Sequence, residues 1–327
     1  MLKLKKLLLE ASREELAAKL QKAFKSGPKA TRAFLDSEEG MSDMVRKDIL
    51  LAPDQDGNDP DDQVEVASGD GFAKDFLPTQ SEIDLMKSVS YPLGSIATLT
   101  SAIESPVASG IVISDNLVID GHHRWSGAYA IGGDEAKVAG KDVKWPGDDS
   151  NEKLAAAQLA IAAKLGPGKT TPTQPDKFDT NIMGKTEEEI VTMIMANINK
   201  KTDKNAPGAL LNDAMMQKMS AGVTKDDKLI KDWLGTFGDR IASATDGESK
   251  IQQLREAIAR KVASNLANLP DNPAAPERED MPQFDDKVGG PDLDAVTPAL
   301  TGKEGGYNVS PPFVKDGIIK LKDLLGR

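Results

Sequence analysis

The sequence predicts an α+β fold, in which a small α/β domain is followed by a helical region and flanked by extended, loop-rich termini. Two short apolar runs around an Asp-Asn pair, at residues 110–120, are typical of a β-hairpin. Several other segments repeat apolar residues at three- and four-residue spacing, which indicates amphipathic helices. Long stretches rich in proline, glycine and acidic residues are too polar to bury much surface, which predicts loops and extended termini.

These observations divide the 327 residues into five parts. Residues 1–70 are predicted to form an N-terminal amphipathic helix and an acidic linker, and residues 71–166 the small α/β domain. A linker at 167–185 leads to a helical domain at 186–269. Residues 270–327 are expected to form an extended tail that ends in a leucine-lysine segment. A chain of this length commonly holds about two compact units.

The N-terminal helix is predicted from Leu9, Leu16, Leu20 and Phe24, which share one helical face. Ser26, followed by glycine and proline, ends it. The segment is basic within an otherwise acidic chain. Two interpretations stay open: the helix packs on its own protein, or it binds an acidic protein partner or a membrane surface.

The α/β domain is expected to alternate short helices and strands. Glycine closes the last two of its helices, which is a common helix end. The predicted elements are helices at 81–89 and 96–103, strand runs at 110–116 and 117–120, and helices at 124–133 and 151–166.

The helical domain begins with a predicted capping box, in which Thr186 and Glu189 each bond the other's backbone amide. Two later segments place apolar residues on one helical face: Ile190, Met193, Ile194 and Ile198 in the first, and Ile251, Leu254, Ile258 and Val262 in the second. Six of the 11 methionines lie between Met183 and Met219. They fill a core or form an adaptable partner surface.

Composition excludes several classes of function. A net charge of -11 repels a phosphate backbone, so DNA is a possible but disfavoured partner. The absence of cysteine excludes disulfides, thiolate catalysis and zinc held by sulfur. No run approaches the roughly 18 consecutive apolar residues of a membrane span. We therefore expect a soluble protein of the cytoplasm, or of the host cytoplasm or virion if it is encoded by a phage.

Three motif-like runs fail for physical reasons. The acidic run that begins at Asp54 contains Pro60 at a position where the backbone of an EF-hand calcium loop must continue. The Gly-Pro-Gly-Lys-Thr run at 166–170 lacks the first glycine of a phosphate loop, and a nearby proline forbids the helix that must follow. Asp120, His122 and His123 are not expected to hold zinc, because neighbouring side chains diverge.

The most informative segment, residues 116–133, contains both histidines of the chain. A predicted strand passes through Gly121 into a helix. The glycine permits a sharp turn, and the amides and dipole at the helix start attract an anion. Arg124 adds donors for phosphate oxygens, and Asp120 adds a carboxylate for Mg²⁺ or for proton removal. The two histidines add donors near neutral pH.

Residues 106–138 resemble the core of the ParB/sulfiredoxin superfamily, often labelled ParB-like nuclease domains and also encoded by phages. The shared pattern is a proline-led strand, a turn, a second strand ending in Ile-Asp-Gly, a polar box and an alanine-containing helix. The box reads Gly-Cys-His-Arg in sulfiredoxins and Gly-Glu-Arg-Arg in chromosome-partition proteins. In this chain it reads Gly121, His122, His123 and Arg124.

The resemblance implies a ParB-like nucleotide-binding protein that takes ATP or CTP with Mg²⁺. Its nucleotide contacts would come from Gly121, His122, His123 and Arg124, and its metal ligand would be Asp120. It also implies Mg²⁺-dependent phosphoryl transfer or nucleoside triphosphate hydrolysis at this box.

The candidate catalytic residues are Asp120, His122, His123 and Glu82. Asp120 or Glu82 would act as a base, and His123 would orient or protonate a reacting group. His122 stands where sulfiredoxins have their nucleophile and partition proteins their glutamate. The reactions that depend on those two residues are therefore not expected here.

Two alternative functions stay open. In the first, His122 and His123 cap a helix, Trp125 anchors the core, and the protein is a phage virion or assembly component with a catalytically degenerate fold. Its protein partners would bind the N-terminal helix and the C-terminal leucine-lysine segment, residues 318–327, which nearly repeats the start of the chain. The second alternative is a DNA nuclease.

Overall fold

The computed structural model describes residues 15–16, 18–42, 66–144, 149–165, 180–201, 205–222, 227–243 and 246–281. Several sequence predictions lie outside these residues. They are the calcium-like run, the run at 166–170, most of the linker at 167–185, and the leucine-lysine segments at both ends.

The described residues combine helices with a mixed six-stranded sheet, which confirms the predicted α+β class. The helices are α1 (18–25), α2 (Pro28–Leu35), α3 (Leu85–Val89), α4 (Ile96–Glu104), α5 (His122–Gly132), α6 (Ser150–Leu165), α7 (Glu187–Ala196), α8 (Asp213–Ser220), α9 (Asp227–Leu234) and α10 (Gly247–Leu266). The strands are β1 (Val66–Ser68), β2 (Gly71–Phe72), β3 (Leu77–Pro78), β4 (Val107–Ser114), β5 (Leu117–Asp120) and β6 (Lys137–Val143).

The sheet has the strand order β1-β6-β4-β5-β3, and β2 also pairs with β6. Strands β4 and β5 form the predicted antiparallel hairpin. Its turn contains Asp115 at a φ of 57°, a left-handed conformation that aspartate tolerates better than most residues. The Lys153 ammonium, 2.6 Å from this carboxylate, holds the pKa of Asp115 below its ordinary value.

Apolar clusters cover both faces of the sheet. Ile113 and Val118 belong to a cluster with α3, α5 and the helical region, whereas Val112 and Ile119 belong to a cluster with α1, α2 and α6. Successive side chains of a strand point to opposite faces, so this alternation is what a sheet buried on both sides requires. Helix α5 therefore begins at the end of an internal strand, β5, of a sheet that is covered on both faces.

Helix α1 packs on its own protein along its described length. Leu20 and Phe24 are buried in the second cluster, and Leu16 packs against it. The chain leaves the helix at Ser26, as predicted, and Gly27 follows with a φ of 92°. Partner binding by the N-terminal helix stays a prediction for residues 1–14, which lie outside the described part.

The helical region shows the predicted capping box and apolar faces. Thr186 and Glu189 bond each other's backbone amides at the start of α7. Ile258 and Val262 of α10 are fully buried. The methionines serve as core filling: Met215, Met216 and Met219 are buried, and Met183, Met193 and Met195 pack against the same cluster.

One apolar cluster extends from Ala73 to Leu269 and so joins the sheet to the helical region. The predicted linker at 167–185 thus separates two stretches of chain that share a core. The division into two separate domains at 71–166 and 186–269 stays a prediction.

Sequence reasoning missed four of the six strands. Strand β6 is internal to the sheet, yet Lys137, Lys141 and Asp142 interrupt its apolar pattern. Strand β1 is only three residues long and lies inside the stretch predicted as an acidic linker. Such short strands depend on pairing with distant residues, which local periodicity does not reveal.

The first part of the predicted C-terminal tail packs against the domain. The Ser81 amide donates to the Pro276 carbonyl at 3.0 Å, and the Asn272 amide group donates to the Pro78 carbonyl at 2.8 Å. Met281 is buried in the second cluster. Asn272 and Pro276 therefore lie beside the end of β3 and the residues that follow it.

No helix within the described part of the chain is long and apolar enough to span a membrane.

Candidate functional site

The turn from β5 into α5 depends on Gly121. This residue is the N-cap of α5, with a φ of 95° and a ψ of 20°, a conformation that glycine adopts without penalty. A Cβ at this position would also come within 2.6 Å of Cδ1 of Ile111. The Gly121 carbonyl accepts from the amides of Arg124 and Trp125, both at 2.9 Å, and so starts the helix.

Arg124 lies at the protein surface beside this turn. Its Nη2 is 3.3 Å from Oδ2 of Asp120, and the two side chains are 45% and 52% exposed. The guanidinium fits against two glycines with positive φ, because a Cβ would come within 3.2 Å of its nitrogens at Gly110 and within 3.1 Å at Gly121. An exposed ion pair of this kind is weak. Arg124 is therefore available to an incoming anion.

His122 lies in the protein interior and is 5% exposed. Its Nε2 accepts from the backbone amide of Thr79 at 3.1 Å, so its single ring proton belongs on Nδ1. Burial lowers the pKa of His122 to about 3, and the charge of His123 adds to the effect. The ring is therefore neutral at physiological pH and is unsuited to bind phosphate or to donate a proton to substrate.

His123 contacts a residue five positions after Thr79 in the chain, Asp84. Its Nε2 accepts from the backbone amide of Asp84 at 3.2 Å, and its side chain lines a groove beside α5. Asp84 is itself the N-cap of α3 and accepts from two amides of that helix. The adjacent histidines thus hold both ends of the segment 79–84 against α5.

Trp125 occupies the core, as the structural alternative predicted. It is fully buried, and its indole Nε1 donates to the Ala73 carbonyl at 2.8 Å.

The groove lies between α3, α4, the beginning of β4 and α5, and has a volume of about 1060 Å³. This size is at the upper end of the range for small-molecule sites. Among the described residues, the ionisable basic groups that line it are Lys87, His123 and Arg124, and no carboxylate does. In a chain with a net charge of -11, this lining favours an anionic ligand.

The structure brings only some of the predicted site residues to this groove. His123 and Arg124 line it, and Asp120 reaches its edge through the ion pair with Arg124. Gly121 shapes the turn. His122 is buried behind the turn, and Glu82 lies partly buried in the segment that the two histidines hold.

Sequence reasoning missed Lys87, Tyr91 and the hydroxyl groups that line the groove. These residues lie on α3 or just after it, on α4 or just after it, and at the start of β4, far from the box in sequence. One local signal was Gly127, in the middle of α5, where a Cβ would come within 2.5 Å of the Ser88 carbonyl. A glycine inside a helix often marks a close approach of another backbone.

The donor set at the box does not form a metal site by itself. Within the described part of the chain, no group of three or more histidine, aspartate or glutamate side chains could hold an ion. Mg²⁺ commonly binds through one or two carboxylates plus substrate phosphates. Asp120 fits that limited role, with the ion supplied together with a nucleotide.

No family model, curated protein or solved structure matches this chain. The resemblance of residues 106–138 to the ParB/sulfiredoxin superfamily therefore stays a prediction.

Proposed function

We propose that the protein binds a nucleotide in the groove beside α5, with the phosphates at Arg124. The observation that carries the proposal is the lining of the groove, which includes Lys87, His123 and Arg124 and no carboxylate among the described residues. Arg124 offers a planar set of donors that matches phosphate oxygens. Because its ion pair with Asp120 is exposed, exchanging that carboxylate for a phosphate costs little.

Asp120 would bind Mg²⁺ that arrives with ATP or CTP. Its carboxylate is 52% exposed and adjoins the proposed phosphate position through Arg124. Phosphoryl transfer or hydrolysis is the finer proposal. Asp120 or Glu82 would remove the proton of a hydroxyl group or of water, whose oxygen would bond to the terminal phosphorus while the bond to the nucleoside diphosphate breaks and the diphosphate leaves. His123 would orient the transferred phosphate. His122 takes no part, because it is buried and neutral.

Thermal denaturation of the full chain with ATP or CTP and Mg²⁺ tests the binding proposal. A ligand at a hundred times its Kd stabilises a protein by about 2.7 kcal/mol, so the melting temperature of the wild type should rise. Arg124→Ala should abolish the rise, because it removes the main phosphate ligand.

Arg260→Ala is the matched control. Arg260 is also an ion-paired surface arginine, 2.8 Å from Glu188 and 3.1 Å from Glu256, but it lies on α10. This variant should keep the full response. If neither nucleotide shifts the wild-type melting temperature, or if both variants respond alike, nucleotide binding at Arg124 is wrong.

A second candidate function is that of an interaction protein, such as a virion or assembly component. The observation that favours it is that both histidine rings accept hydrogen bonds from backbone amides of the segment 79–84. These bonds stabilise the fold and do not require a ligand. This candidate is favoured if neither nucleotide raises the melting temperature of the wild type.

A further inference from the structure

The groove has two chemically different ends. Their positions follow from the directions in which its two walls, α3 and β4, run relative to α5. His123 meets Asp84 at the start of α3, and Gly127 meets Ser88 one turn later. Helix α3 therefore runs in the same direction as α5. Tyr91, which follows α3, lies farther toward the C-terminal end of α5 than Lys87 does.

Strand β4 forms the opposite wall and runs the other way. Gly110 lies beside Arg124, whereas Pro106 lies beside Gly132 at the end of α5. Val107 is three residues before Gly110, which places it roughly 10 Å along the strand from the Arg124 end. Tyr91 and Val107 therefore both lie toward the end of the groove that is remote from Arg124.

The remote end presents apolar surface to solvent. Tyr91 is 56% exposed and Val107 is 40% exposed, and they are two of the four large hydrophobic side chains exposed in the described part of the chain. Both line the groove. The hydroxyls of Ser101, Ser105 and Ser109 line it as well and add donors and acceptors for a polar ligand.

We infer that Tyr91 forms a base-binding subsite, so that the groove takes nucleoside phosphates in preference to bare polyphosphate. An exposed aromatic ring offers a face on which a nucleobase stacks, and such stacking tolerates any base. Val107 lies roughly 10 Å along β4 from Gly110. A nucleotide with its phosphates at Arg124 would extend in that direction and place its base at Tyr91. This inference rests on the proposed nucleotide binding and adds the residue that recognises the base.

Calorimetric titration of the full chain with Mg²⁺ and either ATP or inorganic tripolyphosphate tests the subsite. The wild type should bind ATP more tightly than tripolyphosphate. Tyr91→Ala should weaken ATP binding by about tenfold, the loss expected when one stacked base is released, and should leave tripolyphosphate binding unchanged. Tyr91→Phe keeps the ring face and should restore ATP affinity.

The outcomes separate the two proposals. If tripolyphosphate binds the wild type as tightly as ATP and Arg124→Ala abolishes both, nucleotide phosphates bind as proposed but the base subsite is wrong. The subsite is also wrong if Tyr91→Ala weakens both ligands equally or neither. If no ligand binds the wild type, both proposals fail.

Discussion

At the scale of single residues, the paired histidines are explained by the direction of their side chains. Neighbouring residues at a helix start point to different sides, so His122 contacts Thr79 in the interior and His123 contacts Asp84 at the start of α3. Two adjacent rings can therefore hold two ends of one loop. The pair that first suggested catalysis has a clear role in positioning one wall of the groove.

Burial of His122 predicts that acid destabilises the protein. Its pKa is about 3 in the folded chain against an ordinary 6.5, so the unfolded state binds more protons between these values, and stability falls as pH drops below 6.5. At pH 5 this one group costs about 2 kcal/mol relative to its contribution above pH 7. Urea unfolding of the wild type between pH 7.5 and pH 5 should show that slope.

His122→Asn should remove most of the slope, whatever its effect on stability at pH 7.5. His123→Asn is the comparison and should keep most of the slope, because burial is a larger cause of the low pKa of His122 than the charge of His123 is. The assignment fails if the slope survives in His122→Asn or disappears in His123→Asn instead.

At the scale of elements, the start of α7 is stabilised by three residues, Lys185, Thr186 and Glu189. Thr186 and Glu189 form a complete capping box, and the Thr186 amide donates to Oε2 of Glu189 at 2.9 Å. That amide, with the Lys185 ammonium, lowers the pKa of Glu189 to about 2. The stabilisation is therefore present above about pH 4.5 and is lost as pH falls toward 2.

Thr186→Ala should lower the free energy of unfolding by about 1 kcal/mol, which is typical for the loss of an N-cap. Thr192→Ala, at an exposed site on the same helix, should change it little. Urea titrations of both variants provide the comparison. Equal effects from the two substitutions would show that the cap itself contributes nothing.

At the scale of the whole molecule, the helical region donates hydrogen bonds to the C-terminal carbonyls of α5. The last carbonyls of a helix lack partners within it, and here Asn265 donates to the Ala130 carbonyl at 2.9 Å while the Trp233 indole donates to the Ile131 carbonyl at 2.8 Å. The continuous apolar cluster joins the same regions. We therefore expect the stability of α10 and the stability of the sheet that supports the groove to be coupled through α5.

A cavity created beside α10 should therefore reduce the stability of the sheet as well. Ile258 is fully buried, and Ile258→Ala should cost about 2 to 5 kcal/mol. Hydrogen exchange should then show faster exchange of the slow amides of β4 and β5 as well as those of α10. Ile251→Ala, at the partly buried start of the same face, should have a smaller effect. Loss of protection confined to the helical region would contradict a shared core.

Local patterns were sufficient for the elements whose stability depends on neighbours in sequence. The β4–β5 hairpin, the amphipathic faces of α7 and α10, the capping box at Thr186 and the glycine turn at Gly121 all follow from spacings of a few residues. Their signals are periodicity, caps and turns, which a single sequence displays.

Folding decided the rest, because it depends on which distant residues meet. The place of β6 inside the sheet requires partners that lie far along the chain. Burial of His122 requires the loop at Thr79, and the groove lined by Lys87, His123 and Arg124 requires α3, α4 and β4 to assemble around α5. An imidazole in the core and one at a groove look identical in sequence, since only the surrounding protein sets the solvation that determines their chemistry.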